Sequence, residues 1–478
     1  MGTNLENKSK RAYSLDALRG FAILTMVLSG VIPYKGLPAW MYHAQTPPPT
    51  RAFNPNLPGL TWVDLVFPFF IFALGAAIPM ALNKRIKRGY SKAKLFKYIG
   101  ERTFLLGFFA IFLQHVRPHI INPDIYTQSD LSTWFLALAG FVIMFAIFLR
   151  FPRNWSKTLQ YIVRIGGFAG ALALLIFIKY PEGEGFSLQR SDIIIIVLTN
   201  VYFFGSLVYL ATHDKILLRI GVMGILLALR LAHPVEGWVQ SVWNFSPAPW
   251  IYKLYYLQYL FIAIPGMIVG DLTLKWLKER KAKLKAKWSE KRYWGILGLM
   301  IIFVIVMLVG LQARWVWQTV IVTIFLSGTG FFLVRKPVNR TEEYLQTLFR
   351  WGTYFLLLGL IFEPYEGGIK KDNATMSYYF VTAGLAVYMI IAFTIIIDIL
   401  KKQKSVQLLI NNGQNPMIAY VGFANLLWPL LNIFNVNGFI NKLTSASPWL
   451  GFVKGVIYTL VIALVVQFFT RKKLYWRT

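Results

Sequence analysis

The chain has 478 residues, 56% of them hydrophobic and 15% charged, with a mean hydropathy of +0.53, 50 Lys and Arg against 20 Asp and Glu, and no cysteine. Apolar sequence at this density, spread evenly along the chain, excludes a cytosolic or secreted enzyme and places the bulk of the molecule in lipid. Lack of cysteine excludes a disulfide framework, thiolate metal sites, a cysteine nucleophile and a CxxC redox motif.

Apolar stretches of spanning length follow one another near 14–32, 61–83, 96–116, 130–149, 160–179, 192–212, 216–233, 253–274, 294–311, 316–334, 351–365, 377–399, 414–435 and 449–470. Arg230 lies within 216–233 and 351–365 is short, so either is open to a re-entrant or interfacial reading. The expected fold is an all-α polytopic membrane protein, a bundle of about 14 transmembrane helices (an even number, 10–14), forming a single integral membrane domain over 1–478. The first span is too long for a signal-peptide core and is expected to be retained. Glu6 stands where a myristoylation motif wants Ser or Thr.

Charge orients this bundle. If residues 1–13 are cytoplasmic, alternation places 84–95, 150–159, 213–215, 275–293, 335–350, 400–413 and 471–478 on the same side, and these segments hold most of the Lys and Arg. Both termini are therefore expected to be cytoplasmic. The basic loops 84–97 and 275–293 carry few aromatics (Tyr90, Phe96, Trp276, Trp288), too sparse for a base-stacking platform, so anionic lipid and not nucleic acid is their expected partner. On the other side, residues 33–60 form a loop rich in proline (Pro47, Pro48, Pro49, Pro55, Pro58) that cannot be helical and is expected to be ordered and external.

Ionisable residues within or beside spans are costly and normally pair, face a cavity or take part in function. They are Asp16, Arg19, Asp64, Glu101, Arg102, Arg230, Asp271, Glu363 and Asp398. Asp16 and Arg19, three apart on one helical face, are expected to pair structurally. At the outer mouth Ser29 closes the first span, His43 lies in the loop and Asp64 opens the second. Histidine titrates near neutral pH and a carboxylate can orient its ring, which suits general-base work, although a lone loop histidine is more often inert. His115 and His119 are four apart but have Pro118 between them and no third ligand nearby, so no metal site is expected. No P-loop or GxSxG elbow is present. Glycine and proline interruptions (Pro265, Gly266, Gly270; Gly328, Gly330) also suit a secondary carrier of a sugar or lipid-linked intermediate, but the two halves show no detectable correspondence.

The motifs themselves carry a resemblance. SLDALRG (Ser14–Gly20), then GLTWVDLVFPFFIFALGAAI (Gly59–Ile78), GERTFLLG (Gly100–Gly107), NGQNPMIAYVG (Asn412–Gly422) and the end RKKLYWRT resemble the transmembrane acetyltransferases related to heparan-alpha-glucosaminide N-acetyltransferase, bacterial members included. The resemblance covers roughly 14–116 and 345–478. The family core has ten spans, so this chain adds four, near 192–233 and 294–334.

The resemblance implies an acetyltransferase moving an acetyl group from cytosolic acetyl-CoA to a glucosamine-type amine at the external face, without a metal. It implies His43 as the catalytic histidine, since the family histidine lies shortly before the GLTxxDLVFP block, and Asp64 as the acid of that block. His43 would act as general base or as the carrier of an acetyl-histidine intermediate. Ser29, where the family tends to have Asn, and Trp40 are expected at the acceptor site. Trp40, Tyr42, Trp238, Trp243 and Trp250 suit either sugar stacking or an interfacial aromatic belt. Asp16, Arg19, Arg102 and Asn415 are expected to bind acetyl-CoA. A bacterial inner membrane is the expected location, since the family's lysosomal member has a luminal domain not found here, and a homodimer is left open. The alternatives are O-acylation of a glycan hydroxyl and a carrier without acyl transfer.

Overall fold

The computed structural model describes residues 11–126, 130–152, 154–280 and 287–477. Glu6, most of the expected N-terminal tail, and Lys281, Lys283 and Lys285 of the basic loop lie outside the described residues.

A helix occupies each of the fourteen expected segments: α1 (Tyr13–Val31), α2 (Trp62–Ile86), α3 (Lys92–His115), α4 (Leu131–Phe148), α5 (Lys157–Phe177), α6 (Ile193–Ala211), α7 (Ile216–Ala232), α8 (Leu260–Glu279), α9 (Glu290–Gln312), α10 (Val316–Leu333), α11 (Arg340–Ile361), α12 (Met376–Thr394), α13 (Pro416–Ile433) and α14 (Pro448–Arg471). Eleven are long and apolar enough to cross a membrane, and the chain is an integral membrane protein. The other three are α3, α7 and α11. The first turns of α3 and α11 are polar (Lys92, Lys94, Lys97; Arg340, Glu342, Glu343), and α7 has 17 residues with Arg219 and Arg230 buried. The segment taken as short, 351–365, belongs to a helix that starts at Arg340, eleven residues earlier, where the side chains are too polar to register as a span.

Helix starts follow local chemistry. Ser91, Ser156, Asp192, Ser289, Asn339 and Ser447 each accept a hydrogen bond from a backbone N–H of the turn that follows, satisfying donors a helix leaves open.

The described chain falls into two compact units. The first comprises Met1–Arg19, Ala39–Lys84 and Phe261–Ile410. Its core is α12, buried at every residue. Tyr388 of α12 shares a 2.9 Å hydrogen bond with Thr353 of α11 and packs in a three-ring cluster with Phe303 and Phe349. Backbones approach closely where side chains vanish. A Cβ on Gly75 of α2 would lie 2.2 Å from the Ala263 carbonyl oxygen, and Cβ atoms on Gly266 and Gly270 of α8 would lie 2.3 and 2.5 Å from the carbonyls of Phe72 and Ala76. The glycines around Pro265 therefore form a close-packed α2–α8 seam of the small-xxx-small kind inside a continuous helix, not the interrupted helix a carrier would use. Gly266→Leu is expected to lower the thermal midpoint and the yield of folded protein sharply, because the obstacle is backbone and overpacking alone typically costs about 1–3 kcal/mol. A wild-type melting curve in detergent would mean that the helices do not meet there.

The second unit comprises Gly20–Pro38, Arg85–Leu260 and Asn411–Thr478. Arg117, just past α3, pairs with buried Asp192 at 2.5 Å, and Tyr420 of α13 donates to the same carboxylate at 2.8 Å. The Asn425 amide donates to the Val116 carbonyl at 2.8 Å. Two short strands, β1 (Leu149–Arg150) and β2 (Tyr475–Trp476), pair antiparallel and seat the Trp476 ring against Phe141, Phe145 and Phe148.

Candidate active site

The site of interest sits in the first unit, where α2 and α12 begin and α11 ends. TWVD (Thr61–Asp64) is a reciprocal cap: the Asp64 backbone N–H donates to the Thr61 carbonyl, while Asp64 Oδ2 accepts from the Thr61 N–H (2.9 Å); the Thr61 hydroxyl, 3.1 Å from Oδ2, donates to the Tyr42 carbonyl at 2.7 Å. Oδ2 also accepts from Ala44 N–H at 3.2 Å. These bonds lock the buried carboxylate and leave Oδ1 facing the His43 ring, 2.6 Å from Nδ1.

His43 is held from its own side by a turn in which the Thr46 N–H and hydroxyl donate to its carbonyl. Its other ring nitrogen, Nε2, lies 2.8 Å from Oδ2 of Asp372, in the loop between α11 and α12. Asp372 is therefore the third member of the cluster. The two loops are clasped by Gln45, which accepts from the Asp372 N–H (2.8 Å) and donates to the Asp372 carbonyl, and by a 2.8 Å bond from Gly59 N–H to the Ile369 carbonyl. Buried Glu363 pairs with Arg314 at 2.6 Å beside Gly368, whose φ of +95° and crowded Cβ position suit glycine alone. The Tyr378 hydroxyl of α12 donates to the Asp64 carbonyl at 2.8 Å.

Burial disfavours the imidazolium of His43, yet hydrogen bonds to Asp372 and Asp64 and the Asp64 charge outweigh burial and the nearby Lys371, so its pKa is raised above 6.5. Burial also works against ionisation of Asp372, but the His43 hydrogen bond and the Lys371 charge hold its pKa below 3.8. The result is a histidine between two anions, one sealed and one reachable. The Asp64 side chain is 1% exposed, His43 15% and Asp372 45%.

The remaining expected residues are placed differently. Asp16 pairs with Arg19 at 4.0 Å, as expected, and more closely with Arg11 at 2.6 Å; the Arg19 guanidinium also reaches the Ala73 carbonyl at 3.4 Å. Ser29, in the second unit, donates to the Met26 carbonyl of its own helix. Trp40 is 54% exposed, whereas Tyr42 is buried with Arg51 over its ring, which corrects its place among the sugar-stacking aromatics. Trp243 stacks on His233 at 4.2 Å. Arg102, in the second unit, donates to the Tyr98 hydroxyl and faces the Tyr202 ring. The Asn415 amide donates to the Leu474 carbonyl and accepts from the Trp476 N–H, so it anchors the C-terminal strand. That bond joins two of the segments that carried the sequence resemblance.

A family model covers residues 11–274, more than half of the chain and inclusive of His43 and Asp64. The chain belongs to the family described as Domain of unknown function (DUF5009). This DUF5009 protein is also similar to heparan-alpha-glucosaminide N-acetyltransferase of Homo sapiens, 35% identical over 123 residues, which is 26% of this chain and 15% of that protein. The enzyme of that name from Mus musculus is 33% identical over 126 residues, 26% of this chain and 16% of the relative. The similarity thus spans about a sixth of the length of these relatives. Among the described residues of this DUF5009 protein, no group of three or more His, Asp or Glu side chains is arranged to hold a metal ion.

Proposed function

We propose that this protein is a transmembrane acetyltransferase that takes an acetyl group from cytosolic acetyl-CoA and delivers it to the amine of an amino sugar on the external side. The observation that carries the reading is the His43 imidazole held at 2.6 and 2.8 Å between a sealed and a reachable carboxylate. Similarity to named N-acetyltransferases supports the acetyl chemistry, and the concentration of Lys and Arg in the alternate set of loops supports the external side for the loops that form the cluster.

An acceptor amine must be neutral to attack a thioester. His43 in its neutral form removes the proton, and Asp64 holds the imidazole orientation and stabilises the imidazolium that results, as the acid of a triad does. Of the residues proposed for the donor, Arg19 and Arg102 are cations of the kind that phosphates require, and Trp40, 54% exposed, is the aromatic proposed to meet the acceptor.

The test is mass-spectrometric detection of N-acetylglucosamine made by the purified protein from glucosamine and acetyl-CoA. Product confirms the reaction class. Acetylation of hydroxyl-bearing sugars alone would refute the amine reading, and uptake of sugar into proteoliposomes without CoA chemistry would replace it with a carrier.

A pH dependence follows. The base must be neutral, so activity is lost as pH falls through the His43 pKa, which lies above 6.5. The charged groups facing the ring are Asp64, Asp372 and Lys371, and Asp372→Asn removes one of the two anions that raise it. The acid limb of kcat/KM is therefore expected to have its midpoint above pH 6.5 and to move to lower pH in that variant. An unmoved limb would show that His43 is not the group that titrates.

A further inference from the structure

We propose that Asp372 is the docking group for the acceptor amine in its ammonium form, and so the residue that selects amines over hydroxyls; the inference rests on the reading of His43 as the base. The two ring nitrogens of His43 differ in access. Nδ1 faces Asp64, 1% exposed and fixed by the Thr61 and Ala44 donors. Nε2 faces Asp372, whose side chain is 45% exposed, so an acceptor arriving from water reaches the ring where Asp372 stands.

The backbone of Asp372 is fixed while its carboxylate is free to exchange partners. Gln45, 1% exposed, grips the Asp372 N–H and carbonyl and also donates to the Pro55 carbonyl at 2.9 Å. Among the described residues the carboxylate has one hydrogen-bond partner, the His43 ring. Lys371 beside it helps to keep it ionised.

The protonation states then determine what fits. The Gln45 N–H also approaches Nδ1, but at 3.4 Å against 2.6 Å for Asp64 Oδ1, so the ring proton of neutral His43 goes on Nδ1 toward the carboxylate, and Nε2 and Asp372 Oδ2 then present two lone pairs to each other at 2.8 Å. Two acceptors side by side with no proton between them are complemented by a group that donates more than one N–H and carries positive charge, which an alkylammonium does and a hydroxyl does not. Docked there, the ammonium yields one proton to Nε2. The freed nitrogen lone pair attacks the acetyl carbonyl carbon, the C–N bond forms, the C–S bond breaks, and the leaving thiolate takes the second proton from nitrogen. The first proton leaves His43 for water past Asp372, restoring the starting state.

The experiment uses the full chain in lipid nanodiscs as wild type, Asp372→Asn and Asp372→Glu, measuring binding of glucosamine and of glucose by calorimetry and acetyl transfer at varied glucosamine. Asn keeps the main-chain groups that Gln45 holds, so the fold is expected to survive, and a melting curve verifies this. The wild type is expected to bind glucosamine more tightly than glucose. Asp372→Asn is expected to weaken glucosamine binding and raise its KM roughly 10-fold or more, with kcat at saturating amine much less affected, and Asp372→Glu to recover part of the loss. Unchanged glucosamine binding in folded Asp372→Asn, or a wild type without preference for glucosamine over glucose, overturns the proposal. A wild type that transfers no acetyl group to any amine sinks the proposed function, while the binding comparison still decides the role of Asp372.

Discussion

Replacing His43 with alanine is expected to lower acetyl transfer by about 10²–10⁴-fold, the contribution a positioned general base typically makes. The imidazole is the group placed to take a proton at the reachable face, and its nitrogens lie 2.6 and 2.8 Å from Asp64 and Asp372. Alanine also deprives a carboxylate that is 1% exposed of its partner, so part of any loss will come from stability. His43→Gln separates the two effects: its amide can donate to Asp64 but cannot accept a proton at neutral pH. A folded His43→Gln protein with acetyl-CoA binding intact and transfer reduced to the level of His43→Ala assigns the defect to chemistry. Transfer at the wild-type rate by either variant removes His43 from the reaction. Peptide mapping after acetyl-CoA alone is added to the wild type distinguishes the two schemes, since an acetyl group on His43 marks the covalent route and an unmodified ring marks direct base catalysis.

The helices were legible because a membrane span is written as an uninterrupted apolar run, and each of the fourteen runs became a helix. What was hidden is what apolar runs do not encode. The polar start of α11 at Arg340 extends a helix beyond its apolar part, and PGMIVG reads as a break until the facing α2 backbone shows why those positions need no side chain. In the site, TWVD carried a local signal, since an acid three residues after a threonine cap is held by that cap. His43 opposite it followed from resemblance and not from spacing, as the 20 residues between them pass through an irregular loop. Asp372 lies 329 residues from His43 in a loop without a motif, and the sequence did not single it out; the expected alternation, which would put the loops before α2 and before α12 on one side of the membrane, is the signal that could have found it. The Asp16/Arg19 pair was legible from helical spacing and is present at 4.0 Å, but the shorter 2.6 Å contact from Arg11 was not, because Arg11 precedes the helix and no periodicity places it.

Asp64→Asn is expected to reduce kcat on the order of 10³–10⁴-fold, as in a triad whose acid becomes an amide, with acetyl-CoA binding retained. The hydrogen-bond pattern fixes how the amide must sit. Two donors, the N–H groups of Ala44 and Thr61, point at one oxygen of residue 64, so the amide oxygen takes that position and its NH₂ group turns toward His43 Nδ1. The opposite orientation would set an NH₂ against two N–H donors. An NH₂ facing Nδ1 makes that nitrogen an acceptor and moves the imidazole proton to Nε2, where it occupies the position that must receive the proton from the amine. The variant thus keeps the shape of the site and inverts its proton inventory. Asp64→Ala would be less informative, because it leaves the buried Ala44 and Thr61 N–H groups without their acceptor. The measurement is kcat under saturating glucosamine beside calorimetric binding of acetyl-CoA. Turnover at the wild-type level would mean that Asp64 serves the α2 cap alone, and that His43 keeps its tautomer by other means.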